Sequence, residues 1–290
     1  MKQEPAQLYL DLLKKTLLFS LWPEPPIPIT LFNEMRGPFK RAAVSWTSRA
    51  LATWGLEIVK RRHVTDNQKS NGQFWPLYAD TMIGMKRLDQ LHSAIETILA
   101  EEVEGDFIET GVWRGGACIF MRAALAAYGV SNRRVFVADS FEGLPEADPQ
   151  AYPADRGSFF HRIPFLAVSR KDVEKNFAKY GLLDDRVVFL QGWFKDTLPS
   201  APIGKLALLR LDGDLYESTT DALTHLYPKL SPGGYCIIDD FYLEPCRLAV
   251  EEYRAAHGID AEMRVIDPWS IYWRKGKSAS PGGPQEETDR

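Results

Sequence analysis

Cysteine is nearly absent. Cys118, Cys236 and Cys246 are the only three in 290 residues, all sit in or beside apolar runs, and no two stand at CxxC spacing. That excludes a zinc ribbon or a disulfide-framed secreted domain and reads as reduced thiols in a cytoplasmic protein. Excess charge is also missing: the formal net charge is -4 and the pI about 5.8, so no global positive field gathers nucleic acid or anionic membrane. No run approaches the roughly 18 apolar residues that span a bilayer. Acidic Glu4 and Asp11 stand where a secretory signal would be basic, so the leucine-rich N-terminus reads as an amphipathic helix retained on a soluble protein. The five histidines, His63, His92, His161, His225 and His257, are scattered, and none repeats at metal-ligand spacing. A GxGxxG dinucleotide fingerprint is lacking too, which disfavours a nicotinamide-dependent oxidoreductase.

What is present is a core-forming α/β chain with 45% hydrophobic residues. Residues 1–75 show no strand-helix alternation; the cluster PEPPIPIT breaks them into helical pieces, and Trp22, Trp46, Trp54 and Trp75 are spread through them. This part is expected to form a helical cap, lid or oligomer contact, or less readily a peripheral membrane contact, because short isolated helices need a surface to pack on. Over 76–275 a helix at Gly84 to Ala100 precedes the runs DFIET, RVFVADS, RVVFLQG, KLALLRLD and YCIIDD, separated by helical segments. Apolar runs of this kind predict strands covered on both faces, in a mostly parallel sheet with right-handed crossovers. MRVIDP and SIYWRKG are expected to add an antiparallel edge, and 276–290 reads as a disordered tail.

Carboxylates gather at the expected strand ends: Glu109, Asp139, Asp212 and the pair Asp239 and Asp240. Ligands of open parallel sheets lie beyond those ends, where strand order reverses. In ETGVWRGG, Val112, Trp113 and Arg114 fill the bend where a pyrophosphate needs close backbone approach, so a cofactor with an amino-acid end and a ribose but no phosphate fits better. S-adenosylmethionine answers that description. Glu109 would accept from its ammonium or a bound water, amides after Gly111 would meet its carboxylate, and Asp139 would bridge the ribose hydroxyls. Ser140, Phe141 and Gly143 would lie beneath the adenine, with Gln191, Gly192 and Trp193 at its edge. Thr81 and Met82 would close the methionine end. Glu109 and Asp139 also fit a plainer role as helix caps.

Asp212, Asp239 and Asp240 are hard oxygen donors suited to magnesium, which would lower the pKa of an acceptor hydroxyl. Three carboxylates in coordination range repel by about 4 kcal/mol per pair at an intermediate dielectric, so a cation would account for the crowding. Asp214 lies past the strand end and is expected to act as general base; Asp214, Glu217 and Ser218 could instead cap the following helix. The irregular stretch from Gly143 to Ser169, carrying Tyr152, Phe159, Phe160 and Phe165, is expected to be a lid over a ring-containing acceptor, or a loop packed on the N-terminal helices or a second subunit.

On TMIGMKRLDQL, DFIETGVWRGGACIFMRA, VADSFEGLP, GWFKDTLP, LRLDGDLYESTTDALTHLYPKLSPGGYCIIDD and IYWR, residues 71–275 resemble the macrocin O-methyltransferase (TylF-like) family. The resemblance implies a class I methyltransferase (Rossmann-like) fold with a helical lid, commonly dimeric. It implies S-adenosylmethionine- and magnesium-dependent methylation of hydroxyls, often on deoxysugars of macrolide or aminocoumarin antibiotics. It places the metal on Asp212, Asp239 and Asp240 and the base on Asp214. It places the cofactor on Thr81, Met82, Glu109, Thr110, Gly111, Val112, Trp113, Asp139, Ser140, Phe141, Glu142 and Gly143. Before residue 71 the chain is expected to depart from the family. A glycosylated secondary metabolite is the expected small-molecule acceptor, with a catechol-like phenol, or a cofactor-binding scaffold without catalysis, as the alternatives.

Overall fold

The computed structural model describes residues 4–31 and 36–276. The tail expected over 276–290 therefore lies, but for Gly276, outside the described residues. In chain order the elements are α1 (Pro5–Leu17), β1 (Ile27–Pro28), α2 (Pro38–Ala52), β2 (Val59–Lys60), α3 (Asp66–Ser70), α4 (Gly84–Ala100), β3 (Asp106–Thr110), α5 (Gly116–Ala127), β4 (Val135–Asp139), α6 (Arg170–Lys179), β5 (Val187–Gln191), α7 (Phe194–Thr197), β6 (Leu206–Leu211), α8 (Tyr216–Leu226), β7 (Leu230–Ile238), α9 (Glu244–Ala256), β8 (Arg264–Val265) and β9 (Ile271–Arg274).

Seven strands form one sheet in the order β5-β4-β3-β6-β7-β9-β8. The first five are parallel, and β9 and β8 run antiparallel at the edge, pairing Arg264 with Tyr272 as the sequence pattern predicts. The chain steps outward from β3 to β5, then returns to β6 on the other side of β3. The β3–β6 gap is thus the point where strand order reverses and the crevice opens. Helices cover both faces, which is why β3, β4 and β6 read as almost unbroken apolar runs.

The expected boundary at residue 75 does not separate two cores. Proline at the first position starts α1, and Leu10, Leu13 and Leu17 recur on one face and pack into the same core cluster as α4 and α5. Each buried leucine contributes about 2 kcal/mol of hydrophobic stabilisation, so α1 is integral to the main domain. Its Lys14 is buried yet paired, with Asp89 at 2.7 Å and Asp11 at 3.0 Å. The Leu17 carbonyl at the helix end accepts from the amides of Asp80 (2.8 Å) and Thr81 (3.3 Å), which carries the helix's position to the edge of the crevice. Helix α2 is different, for it buries none of its residues.

Candidate active site

A cavity of about 470 Å³ opens over the carboxyl ends of β3, β4, β6 and β7. Two glycines bring its walls together. Gly111 has φ +78°, and a Cβ there would stand 1.6 Å from the Asp212 carbonyl oxygen, so the turns after β3 and β6 touch at that point. A Cβ on Gly116 would lie 2.5 Å from the Asp80 carbonyl, whose oxygen accepts the Gly116 amide at 3.0 Å. That contact holds Thr81 and Met82 at the cavity wall.

Fourteen of the expected site residues line the cavity: Thr81, Met82, Glu109, Gly111, Val112, Trp113, Asp139, Ser140, Gly143, Trp193, Asp212, Asp214, Asp239 and Asp240. Five do not. Thr110 is wholly buried on β3. Phe141 turns into the core, its ring 6.0 Å from that of Phe189. Glu142 and Gln191 point to solvent, and Gly192 serves the turn after β5, its amide bonding the Asp139 carbonyl at 2.9 Å. Phe141, Glu142 and Gly192 lie past strand ends, where the period of two lapses, whereas Thr110 and Gln191 close β3 and β5, one buried and the other exposed.

The bend after Gly111 also differs from expectation. The Val112 amide, expected to meet a ligand carboxylate, donates to Asp139 at 2.7 Å, and the Phe141 amide donates to the other oxygen at 2.7 Å. The Ser140 hydroxyl also reaches the Asp139 carboxylate, at 3.5 Å, and the Trp113 amide faces it as well. Trp113 sits at φ +49°, donates its indole N–H to the Phe165 carbonyl at 2.9 Å, and carries the Arg114 guanidinium 4.2 Å from its ring centre. Arg114 in turn donates to the carbonyls of Leu77 (2.9 Å) and Ala79 (2.7 Å).

Two arginines that sequence reading missed organise the charge. Arg210, 1% exposed and next to last in β6, donates to Glu109 and Asp239 and reaches Asp212 at 3.1 Å. Arg87, from α4, joins Asp239 at 2.6 Å and Asp267 at 2.7 Å. Part of the crowding expected to need a metal is therefore met by guanidinium groups. The signal was available in LALLRL, since an arginine inside a doubly covered strand must have carboxylate partners. Burial alone would raise Asp239, but Arg210 and Arg87 bring it below its ordinary value. Glu109 is raised by burial against the pull of Arg210 and the Cys118 thiol, which donates to it at 2.9 Å.

At three carboxylates burial and acidic neighbours outweigh such relief, although Arg210 lowers Asp212 and Arg87 lowers Asp240. Asp212, Asp214 and Asp240 bring one oxygen each within 4.8 Å of one another. Burial and the charges of Asp239 and Asp240 push Asp212 well up. Asp214 rises to about 8 through burial and then Asp212 and Asp239, and Asp240 rises to about 8 through burial and then Asp214 and Asp239. The close group thus contains Asp214 in place of the expected Asp239, both of whose oxygens are taken by arginine. Oxygen donors that resist joint ionisation fit a bound divalent cation.

Replacing Arg210 with methionine is expected to cost about 3–5 kcal/mol, because Glu109 loses its buried counter-ion and Asp239 one of its two. Urea unfolding measures it; a cost under about 1 kcal/mol would show that the carboxylates protonate freely instead.

The family model for macrocin-O-methyltransferase (TylF) matches residues 6–275. The chain belongs to this family. The match extends through residues 6–70, so the departure expected before residue 71 is not observed. The chain is 46% identical over 275 residues to the 8-demethyl-8-(2,3-dimethoxy-α-L-rhamnosyl)-tetracenomycin-C 4'-O-methyltransferase of Streptomyces olivaceus, covering 94% of this chain and 95% of that protein. It is 53% identical over 209 residues to the demethyldecarbamoylnovobiocin O-methyltransferase of Streptomyces niveus, covering 71% and 80%. The solved structure of the O-methyltransferase NovP superposes with a TM-score of 0.80 at 43% identity, over 94% of this chain and 100% of that one. Like these macrocin-O-methyltransferase relatives, the protein is an O-methyltransferase with the class I fold.

Proposed function

We propose that the chain transfers the methyl group of S-adenosylmethionine to a sugar hydroxyl of a glycosylated secondary metabolite, with magnesium bound at the carboxylate cluster. The observation that carries this reading is one cavity shared by the Glu109–Trp113 bend and by the three close carboxylates Asp212, Asp214 and Asp240. The printed activities of the relatives, on a rhamnosylated tetracenomycin and a novobiocin precursor, support the acceptor class.

S-adenosylmethionine supplies an electrophilic methyl on a sulfonium, and magnesium supplies Lewis acidity at the hydroxyl oxygen. The chain's residues do the rest. Asp139, at the cavity wall, would accept from the ribose hydroxyls, while Thr81 and Met82 border the methionine end. Asp212 and Asp240 would hold the cation, with Asp239, oriented by its two arginines, completing the set that the family resemblance implies. Asp214 takes the hydroxyl proton. Glu217, Ser218 and Asp221 line the same cavity as Trp75 and Phe160, a mixture suited to a hydroxylated ring on an apolar aglycone.

Radiolabel transfer from methyl-labelled S-adenosylmethionine to a panel of glycosides, their aglycones and simple catechols tests the reading. Label on glycosides alone supports it. Label on catechols alone makes the protein a phenol methyltransferase, and cofactor binding without transfer to any acceptor makes it a scaffold.

The same proposal includes a homodimer or higher homo-oligomer through the N-terminal region. Phe39 is 90% exposed, Trp46 74% and Trp54 80%, on and just after a helix with no buried face. Apolar aromatic surface of this extent needs cover. Trp46→Glu with Trp54→Glu is expected to yield monomers in sedimentation velocity. Native association in that variant would place the interface elsewhere. No described helix is long and apolar enough to cross a membrane. Three buried free cysteines support a reducing, cytoplasmic setting.

A further inference from the structure

Helix α8 begins directly after Asp212-Gly213-Asp214, so its first turn sets where Asp214 can sit. Its own N-cap residue is Leu215, which has no side-chain oxygen to offer. Asp214 does not cap it either: at φ +57° it turns the other way, and its amide donates to Asp240 at 3.2 Å. The cap comes from far along the chain. Asp155 accepts from the amide of Tyr216 at 2.7 Å and from that of Glu217 at 3.1 Å.

Asp155 is 1% exposed. It ends a short 3-10 turn, Pro153–Asp155, in the middle of the irregular loop between β4 and α6. On one side of it that loop supplies Leu144 and Pro145 to the cavity, and on the other Phe160 and Leu166. The far end of the loop is held by the Trp113 indole on the Phe165 carbonyl, at the cofactor bend. The loop is therefore fastened at two points, one beside Asp214 and one beside the cofactor residues. A carboxylate delivered to two free amides at a helix N-terminus satisfies both donors and complements the helix dipole, and here it does so only while the loop lies over the cavity.

We propose that Asp155 is a positioning residue: it caps α8 from the covering loop, so that coverage of the acceptor and placement of Asp214 are a single event. This rests on the reading of Asp214 as base. Misplacement of a reacting group by about 1 Å can cost on the order of 100-fold in rate, so the effect should appear in kcat.

The test compares the full-length Asp155→Ala, Asp155→Asn and Asp148→Ala proteins, the last changing an exposed aspartate in the same loop. Asp155→Ala is expected to lower kcat at least about tenfold while the dissociation constant for S-adenosylhomocysteine stays within about twofold, with faster hydrogen exchange confined to residues 213–219. Asp155→Asn keeps one of the two acceptor oxygens but turns an NH2 toward the second amide, so it should recover kcat only in part. Asp148→Ala should match the native protein. The proposal is overturned by a native kcat in Asp155→Ala, or by a loss of S-adenosylhomocysteine affinity equal to the loss of kcat. Accelerated exchange in Asp155→Ala combined with a native kcat in Asp214→Asn would retain the cap and remove the base, which separates the two readings.

Discussion

Asp214→Asn should lower kcat by about 10²- to 10⁴-fold, the usual worth of a positioned general base, while affinities for magnesium and S-adenosylhomocysteine stay within about threefold. Asparagine keeps the size and the left-handed backbone of the site, since short polar side chains tolerate that region best, so the change removes basicity with little else. In the metal-free chain burial and its acidic neighbours raise the Asp214 carboxyl to about 8, which strengthens it as a proton acceptor; a cation on those neighbours would bring it down while also easing loss of the hydroxyl proton. Asp240→Asn and Asp239→Asn provide the contrast: both should weaken magnesium binding in calorimetry and lose turnover with it. The close grouping of Asp212, Asp214 and Asp240 favours a rival in which Asp214 is itself a metal ligand. Magnesium affinity lost in Asp214→Asn as fully as in Asp240→Asn would establish the rival and retire the base.

How much of this was legible in the sequence follows from range. The apolar strand runs, their order along the chain and the carboxylates at their ends are local features, and the five parallel strands and the antiparallel edge appear where the patterns put them. The side-chain direction of Glu142 was not legible, because loops after strands obey no period, nor was the exposure of Gln191, which closes the edge strand β5. The arginine network was half legible. Arg210 could have been flagged from its strand, but its partner Asp239 is 29 positions away and the second arginine on that carboxylate is 152 positions away. Asp155 stands 61 positions from the Tyr216 amide it caps, inside a stretch without periodicity, so only folding reveals it. The N-terminal helix misled for a related reason: its leucines announce an apolar face, but not which surface covers it.

Stripped of metal by a chelator, the protein should lose stability as pH rises from about 4 toward 8. Asp214 and Asp240 are both raised to about 8 in the folded chain, against about 3.9 in the unfolded chain. Groups raised in this way hold protons more tightly when folded, so their contribution is complete below about pH 4 and is lost as pH climbs through the folded value. His92 acts in the opposite sense. Burial lowers its pKa, so its contribution is present above about 6.5 and is lost as pH falls. Between pH 6.5 and 8 the carboxylates should therefore dominate the slope. Magnesium should reverse the trend, because a cation binds the ionised carboxylates and must displace their protons. Its apparent affinity should rise by up to about tenfold per pH unit for each proton displaced, then level above about pH 8. Melting curves at pH 6.5, 7.25 and 8, with chelator and with magnesium, read both effects, and Asp240→Asn should flatten both. A magnesium affinity that stays constant across that interval would mean that no carboxyl proton gives way to the cation, and that Asp240 does not hold it.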